Sequence, residues 1–285
     1  MWVIELWRSD AGIFVLSVGL LGLIVGSFIN VVVYRLPKML MQDWRQQARE
    51  ILQLPAETDS TPYNLARPNS SCPNCGHQLK FWEKIPLLSW LYLRARCSAC
   101  RAPISWRYPL VEVACGLLSA LIAWRYGVSL AGGAMLLCTW SLLTMSLIDA
   151  QQQIVPDVIV LPMLWLGLIL NSFGVFVSLP EAFWGAVIGY MSLWTVFWLF
   201  KWITGREGMG YGDFKLLAML GAWGGWQVLP GTILVSSALG SIVGVLILRW
   251  QGNHYSQPIA FAPFIAIAGF IVLLWGNGML FIKIA

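Results

Sequence analysis

Two aspartates carry the reactive chemistry that this sequence offers. Asp149 closes one apolar run, and Asp213 follows a glycine-rich turn, Gly208-Met209-Gly210-Tyr211-Gly212, that opens another. An acid at the edge of a membrane segment is costly without a partner or water, so it points to function. Two carboxylates held close cannot both ionise and share a proton. One then serves as general base on water while the other, protonated, polarises a carbonyl. This chemistry needs no metal, no nucleophilic Ser or Cys and no His. The chain has two histidines, and neither is near Asp149 or Asp213 in sequence.

Blander roles compete for the same residues. An Asp at a helix start is often an N-cap, and Asp213 fits that role too. Asp157, after Pro156, reads as a first-turn acid facing the helix dipole. Glu112 reads as an interfacial ion pair with Arg107 or as a second functional acid. Lys215 either snorkels to the interface or tunes Asp213. The polar turn after Asp149 is expected to break its helix and leave the acid facing a hydrated cleft.

A second constellation is Cys72-Pro73-Asn74-Cys75 and Cys97-Ser98-Ala99-Cys100, with 21 residues between the pairs. Each CxxC puts two thiolates on one tight turn, and four sulfurs can converge on a tetrahedral ion. A structural zinc site is the favoured reading of Cys72, Cys75, Cys97 and Cys100. Redox chemistry and free thiols are the alternatives. His77 is a spare ligand or a solvated loop histidine. Cys115 and Cys138 lie inside apolar runs and read as packing residues.

The elements that must position these groups are membrane helices. Of 285 residues 58% are hydrophobic and 11% charged, and mean hydropathy is +0.71. A soluble domain carries about 25% charge. The 17 tryptophans fit membrane interfaces. Apolar runs long enough to span fall at about 11–34, 108–125, 130–149, 157–177, 183–203, 230–249 and 260–282, with a short glycine-rich eighth at about 213–228. The fold expected is therefore an all-α polytopic membrane protein of about eight transmembrane helices. Residues 1–37 form the first membrane helix, 38–107 a cytoplasmic domain with the small zinc-ribbon-like unit, and 108–285 the membrane core. Within the polar stretch 38–68, residues around Gln42–Leu54 read as a helical piece, followed by a loop through Pro55, Pro62 and Pro68. The first run is too long for a cleavable signal peptide.

Orientation follows the basic residues. Eleven of the eighteen lie in 35–107, which should therefore be cytoplasmic. Eight spans put Lys201, Arg206, Lys215 and Arg249 on that side, leaving Arg8, Arg125 and Lys283 opposite. Asp149 and Asp213 then both arrive near the cytoplasmic face, and both termini are external. The net charge of +5 follows topology and is no nucleic-acid signal.

With these residues in place, the chain resembles bacterial type IV prepilin peptidases. Gly210-Tyr211-Gly212-Asp213 matches the GxGD motif of intramembrane aspartyl peptidases. Asp149…Pro156, the CxxC pair, Gly26-Ser27-Phe28-Ile29-Asn30 through Arg35-Leu36-Pro37, and Arg107-Tyr108-Pro109-Leu110-Val111-Glu112 follow the family's order. The resemblance implies a bifunctional inner-membrane enzyme. It would cleave the basic leader of type IV prepilins or type II secretion pseudopilins, then methylate the new N-terminal amine from S-adenosylmethionine. Asp149 and Asp213 would be the catalytic pair and the four cysteines zinc ligands. The partners are pilin substrates and the lipid bilayer, and no oligomeric state is implied. Ala95 and Lys84 depart from the family's usual Gly and Asn, which bears on methylation and not on cleavage. The methyl-donor site stays unassigned, with Glu112 and the cysteine unit as the places to look. A proton or cation relay and a non-catalytic assembly protein are the readings from other classes.

Overall fold

The computed structural model describes residues 7, 10–55, 63–206, 208–251 and 260–279. Arg8, Pro62, Glu207, His254, Lys283 and the far end of the last predicted span lie outside the described residues. Among those described there are helices and two isolated bridges, and no strand. The helices are α1 (Ala11–Ile51), α2 (Leu88–Tyr92), α3 (Arg107–Tyr126), α4 (Leu130–Gln152), α5 (Asp157–Ser172), α6 (Leu179–Thr204), α7 (Tyr211–Gly224), α8 (Val228–Gln251) and α9 (Ala262–Met279). All eight predicted spans fall on helices. Five of these helices (α1, α3, α4, α6 and α8) are long and apolar enough to cross a membrane. The other three are shorter. α7, with 14 residues, reaches about 21 Å at 1.5 Å per residue, less than the roughly 30 Å of a hydrocarbon core.

The contacts group the chain into two units, Met1–Trp140 and Ser141–Ala285. In the first unit, α1 and α3 pack closely through small residues. A Cβ on Gly22 would meet the Cys115 carbonyl at 2.8 Å, and one on Gly26 would meet the Glu112 Cα at 2.8 Å. Helices in lipid associate through such small faces, which let the backbones approach. Cys115 and Cys138 are fully buried as packing residues.

The end expected for α1 near Pro37 is absent. The helix runs on through Pro37 to Ile51, absorbing most of the piece expected at 42–54, whose last three residues lie beyond its end. Proline costs an intrahelical hydrogen bond. Beside it, buried Arg35 donates from Nη1 to the Asn64 and Leu65 carbonyls at 3.0 and 3.2 Å. Its Nη2 donates to the Pro68 carbonyl at 2.6 Å. The clamp ties the loop after α1 back onto the helix.

In the second unit α7 is the central element, in contact with α5, α6, α8 and α9. Ten of its 14 residues are buried, among them Phe214, Leu216, Leu217, Met219, Leu220 and Trp223. Asn171 fixes its far end, donating from Nδ2 to the Ala222 and Trp223 carbonyls at 2.9 and 3.1 Å. Trp223 Nε1 donates to the Met163 carbonyl at 2.8 Å. α6 and α7 meet at Gly185 and Gly221, where a Cβ on either would overlap the carbonyl of the other. Gly221→Ala is expected to destabilise the unit by about 1–3 kcal/mol, the range for overpacking. It should also depress activity, because α7 carries Asp213. A melting curve of the purified variant checks this, and an unchanged midpoint would mean that the helices can part without cost.

Candidate active site

Asp149 lies one turn before the end of α4, which continues to Gln152. The expected break therefore comes later: Gln153 takes φ +55, and Pro156 starts α5 as its N-cap. Asp149 is not open to a hydrated cleft, being 6% exposed. Its Oδ2 accepts the Ala262 N–H at 3.2 Å. Ala262 is the first residue of α9, so this donor is one of the unpaired amides at a helix N-terminus, where negative charge is favoured. Sequence reasoning missed this partner, for no local signal links positions so far apart.

Asp213 is buried to the same degree, at 7%. It is not the N-cap of α7. Gly210 holds that place, with φ −83 and ψ 147 and no side-chain capping bond. Asp213 sits in the first turn, its N–H donating to the Gly210 carbonyl at 3.2 Å. Capping therefore does not account for this acid. Among the described residues neither Asp149 nor Asp213 forms an ion pair.

Two of the three glycines before Asp213, Gly208 and Gly212, act by close approach. None has a positive φ. A Cβ on Gly212 would meet the Val155 side chain at 2.7 Å, and one on Gly208 would meet the Phe200 ring at 2.8 Å. Gly212 thus lets the start of α7 lie against the loop that follows Asp149. Lys215 does not tune Asp213. Its Nζ binds both oxygens of Asp157 at 2.7 and 2.8 Å. Asp157 is in the first turn of α5 as expected, with that ion pair added to its dipole role.

The four cysteines converge. Their Sγ atoms all lie within 4.8 Å of one another and can hold a metal ion. Two similar turns present them. The Gly76 N–H donates to the Cys72 carbonyl and the Arg101 N–H to the Cys97 carbonyl, at 2.9 and 3.0 Å. One bridge closes each turn, Ser71 with Gln78 and Arg96 with Pro103. The Ala102 N–H, then the Asn74 side chain, pull the Cys100 thiol down to about 6, and the Asn74 and Cys75 amides lower Cys72. Cys75 moves up, to about 11: the His77 N–H opposes the shift, but partial loss of hydration at the sulfur and the other three thiols prevail. His77 is neither a ligand nor free in solvent, as its Nε2 lies 3.4 Å from Glu83 Oε2. The two atoms are close but form no aligned hydrogen bond. Glu83 also accepts the Lys80 N–H at 2.7 Å. The Ser98 hydroxyl, then this amide, hold its carboxyl below the usual range.

Glu112, buried in α3, does not pair with Arg107 among the described residues. Its Oε2 accepts the Leu87 N–H at 2.8 Å. The bond ties the segment between the two cysteine turns to the membrane helix. Ala95 in the same unit has φ +57 and is fixed at both ends. Its N–H donates to the Trp90 carbonyl at 2.9 Å, and its carbonyl accepts the Ile104 N–H at 2.7 Å. A left-handed conformation costs an L-residue roughly 1–2 kcal/mol, part of which glycine returns as entropy of the unfolded chain. Ala95→Gly is therefore expected to stabilise the unit by up to about 1 kcal/mol. A denaturation midpoint that falls would contradict this.

Comparison with known proteins joins the two halves of this architecture. Residues 20–126 match the model of the bacterial peptidase A24 N-terminal domain, and residues 136–245 match that of the type IV leader peptidase family. The chain belongs to the type IV leader peptidase family. A protein of Stutzerimonas stutzeri is 60% identical over 277 residues, covering 97% of this chain and 96% of its own. One of Pseudomonas aeruginosa is 61% identical over 264 residues, covering 93% and 91%. One of Aeromonas hydrophila is 48% identical over 278 residues, covering 97% and 96%. All three bear the name prepilin leader peptidase/N-methyltransferase. No solved structure matches the chain. As a family member with several long apolar helices, it is a multi-pass membrane protein.

Proposed function

We propose that the chain cleaves the leader of type IV prepilins or type II secretion pseudopilins and N-methylates the new terminus. Asp149 and Asp213 are the catalytic pair in this reading. The observation that carries it is that both acids are buried with no ion pair among the described residues, and that Gly212, next to Asp213, packs against Val155 of the loop that follows Asp149. A structural acid is expected to find a cap or a counter-ion, as Asp157 does. One carboxylate takes a proton from water as the oxygen attacks the scissile carbonyl, and the other donates a hydrogen bond to the carbonyl oxygen. The tetrahedral adduct then collapses as the leaving amine takes up a proton. The start of α7 offers an extended residue, Gly210, beside which a substrate strand can lie.

The rest of the organisation follows the charge bias. Residues 38–107 face the cytoplasm, the termini are periplasmic, and the acids lie near the cytoplasmic side of the inner membrane. A prepilin's scissile bond is there as well, between a basic leader and an apolar helix. Zinc suits the cysteine cluster. Zn–S bonds of about 2.3 Å in a tetrahedron separate the sulfurs by about 3.8 Å. The Cys72–Cys100 and Cys75–Cys97 sulfurs are 3.8 and 4.0 Å apart. S-adenosylmethionine would supply a methyl carbon that bonds to the amine nitrogen as its bond to sulfur breaks, one proton leaving the amine.

Purified protein mixed with a prepilin tests the whole reading by mass spectrometry. The expected product has lost its leader and, with the donor added, gained one methyl on its first residue. The relay alternative draws no support from a peptidase family. Ion flux in proteoliposomes without cleavage would restore it.

A further inference from the structure

The cysteine unit contains a cleft of about 340 Å³, lined by His77, Lys80, Trp82, Glu83, Ser89 and Tyr92, with Ser98 of the second cysteine turn on its wall. That volume falls in the range of small-molecule sites, about 300–1,000 Å³. Its chemistry is mixed: one ammonium, one carboxylate, one imidazole, two large aromatic rings and three hydroxyls, one of them the Tyr92 phenol. Glu83 is held in place by the Lys80 amide at 2.7 Å, with His77 Nε2 3.4 Å away, and its side chain is 4% exposed. The Lys80 Nζ lies 5.3 Å from the centre of the Trp82 ring. Trp82 and Tyr92 are 59% and 85% exposed, an exposure that packing within the unit does not explain.

A ligand that answers this lining carries both signs of charge and a flat ring. S-adenosylmethionine has an α-carboxylate, an α-ammonium, a sulfonium and an adenine. A basic prepilin leader answers it less well, since Lys80 offsets Glu83. Aromatic faces hold both adenine and a sulfonium, the first by stacking and the second by the attraction of a cation to a π-face. We propose that this cleft is the methyl-donor site, with Trp82 and Tyr92 supplying the aromatic faces, Lys80 the partner of the carboxylate and Glu83 that of the ammonium. The proposal rests on the methyltransferase half of the function above and gives that half a place. It also gives the cysteine cluster a role in the reaction at one remove. Ser98 sits between Cys97 and Cys100, so a metal that fixes the second turn fixes one wall of the cleft.

The test titrates S-adenosylhomocysteine, the demethylated product, into the full chain in detergent with its metal loaded, by calorimetry. Trp82→Ala and Tyr92→Ala are expected each to weaken binding about tenfold, the scale of one aromatic stacking contact, since the product keeps the adenine but not the sulfonium. Tyr92→Phe, which keeps the ring, should bind as the parent does. Metal content and leader cleavage should be unchanged in all three, which separates a lost contact from a lost fold. Parent-like affinity in both alanine variants would place the donor elsewhere and overturn the proposal while leaving the methyltransferase reading intact. No binding by the parent protein, with cleavage intact, would overturn both.

Discussion

Asp149→Asn and Asp213→Asn are each expected to slow leader cleavage by about a thousandfold, while Asp157→Asn leaves it within about threefold. General acid–base catalysis contributes about 10²–10⁴-fold, and a dyad lacks its proton relay when either member becomes an amide. The fold should survive both changes. Neither acid forms an ion pair among the described residues. The Ala262 N–H, which donates to the Asp149 carboxylate, can donate equally to an amide oxygen. Asp157 is the internal control. It lies on the same unit at a helix start, but is 54% exposed at its side chain and paired with Lys215. An exposed pair of that kind is worth about 0–1 kcal/mol.

Initial cleavage rates on a purified prepilin measure the effect, and methylation of a pre-cleaved pilin by the same variants separates the two activities. Methylation should persist in the Asp149 and Asp213 variants. If either one cleaves at the parent rate, the acid pair is structural and the peptidase chemistry lies elsewhere. If methylation disappears with cleavage, the variant has lost its fold and the comparison moves to Asp149→Glu, which keeps the carboxylate.

The positions of the two acids were legible because their signal is local. An acid beside an apolar run is conspicuous, and a glycine-rich turn before it narrows the choice. The paired CxxC turns were legible for the same reason, since each is a self-contained bend. What the sequence hid is long-range. Nothing near Asp149 announces that the first amide of α9 will meet it, and nothing near Lys215 announces Asp157. The purpose of the glycines was half legible. Their presence marked the turn, but the constraint on Gly212 is the Val155 side chain, which only packing reveals. The continuation of α1 through Pro37 to Ile51 also escaped a reading that took the first helix from its apolar run. The end of an apolar run marks where a helix leaves the membrane, and the helix itself need not stop there.

The second large effect concerns metal. Cys97→Ser, or exhaustive chelation, is expected to abolish methylation and S-adenosylhomocysteine binding, with leader cleavage retained within about threefold. The reason is the poverty of the cysteine unit's core. Between residues 63 and 106 only Cys72 and Cys97 are buried. Phe81, Leu88, Leu91, Tyr92 and Trp106 are all more than half exposed. A unit of this size with so little apolar burial cannot offset its chain entropy by packing, and small domains of this kind depend on a metal or another staple. Structural zinc supplies about 10–16 kcal/mol to comparable zinc-finger peptides. Removing one of four ligands therefore acts on the folding of the whole unit and on the cleft built from it. The acid pair belongs to the other unit, Ser141–Ala285, which has a core of its own around α7. Metal content, product binding and the two activities measured on one preparation give the answer. Full methylation in a metal-free protein would show that the unit folds without the ion. Loss of cleavage in step with the metal would show that the peptidase depends on it as well.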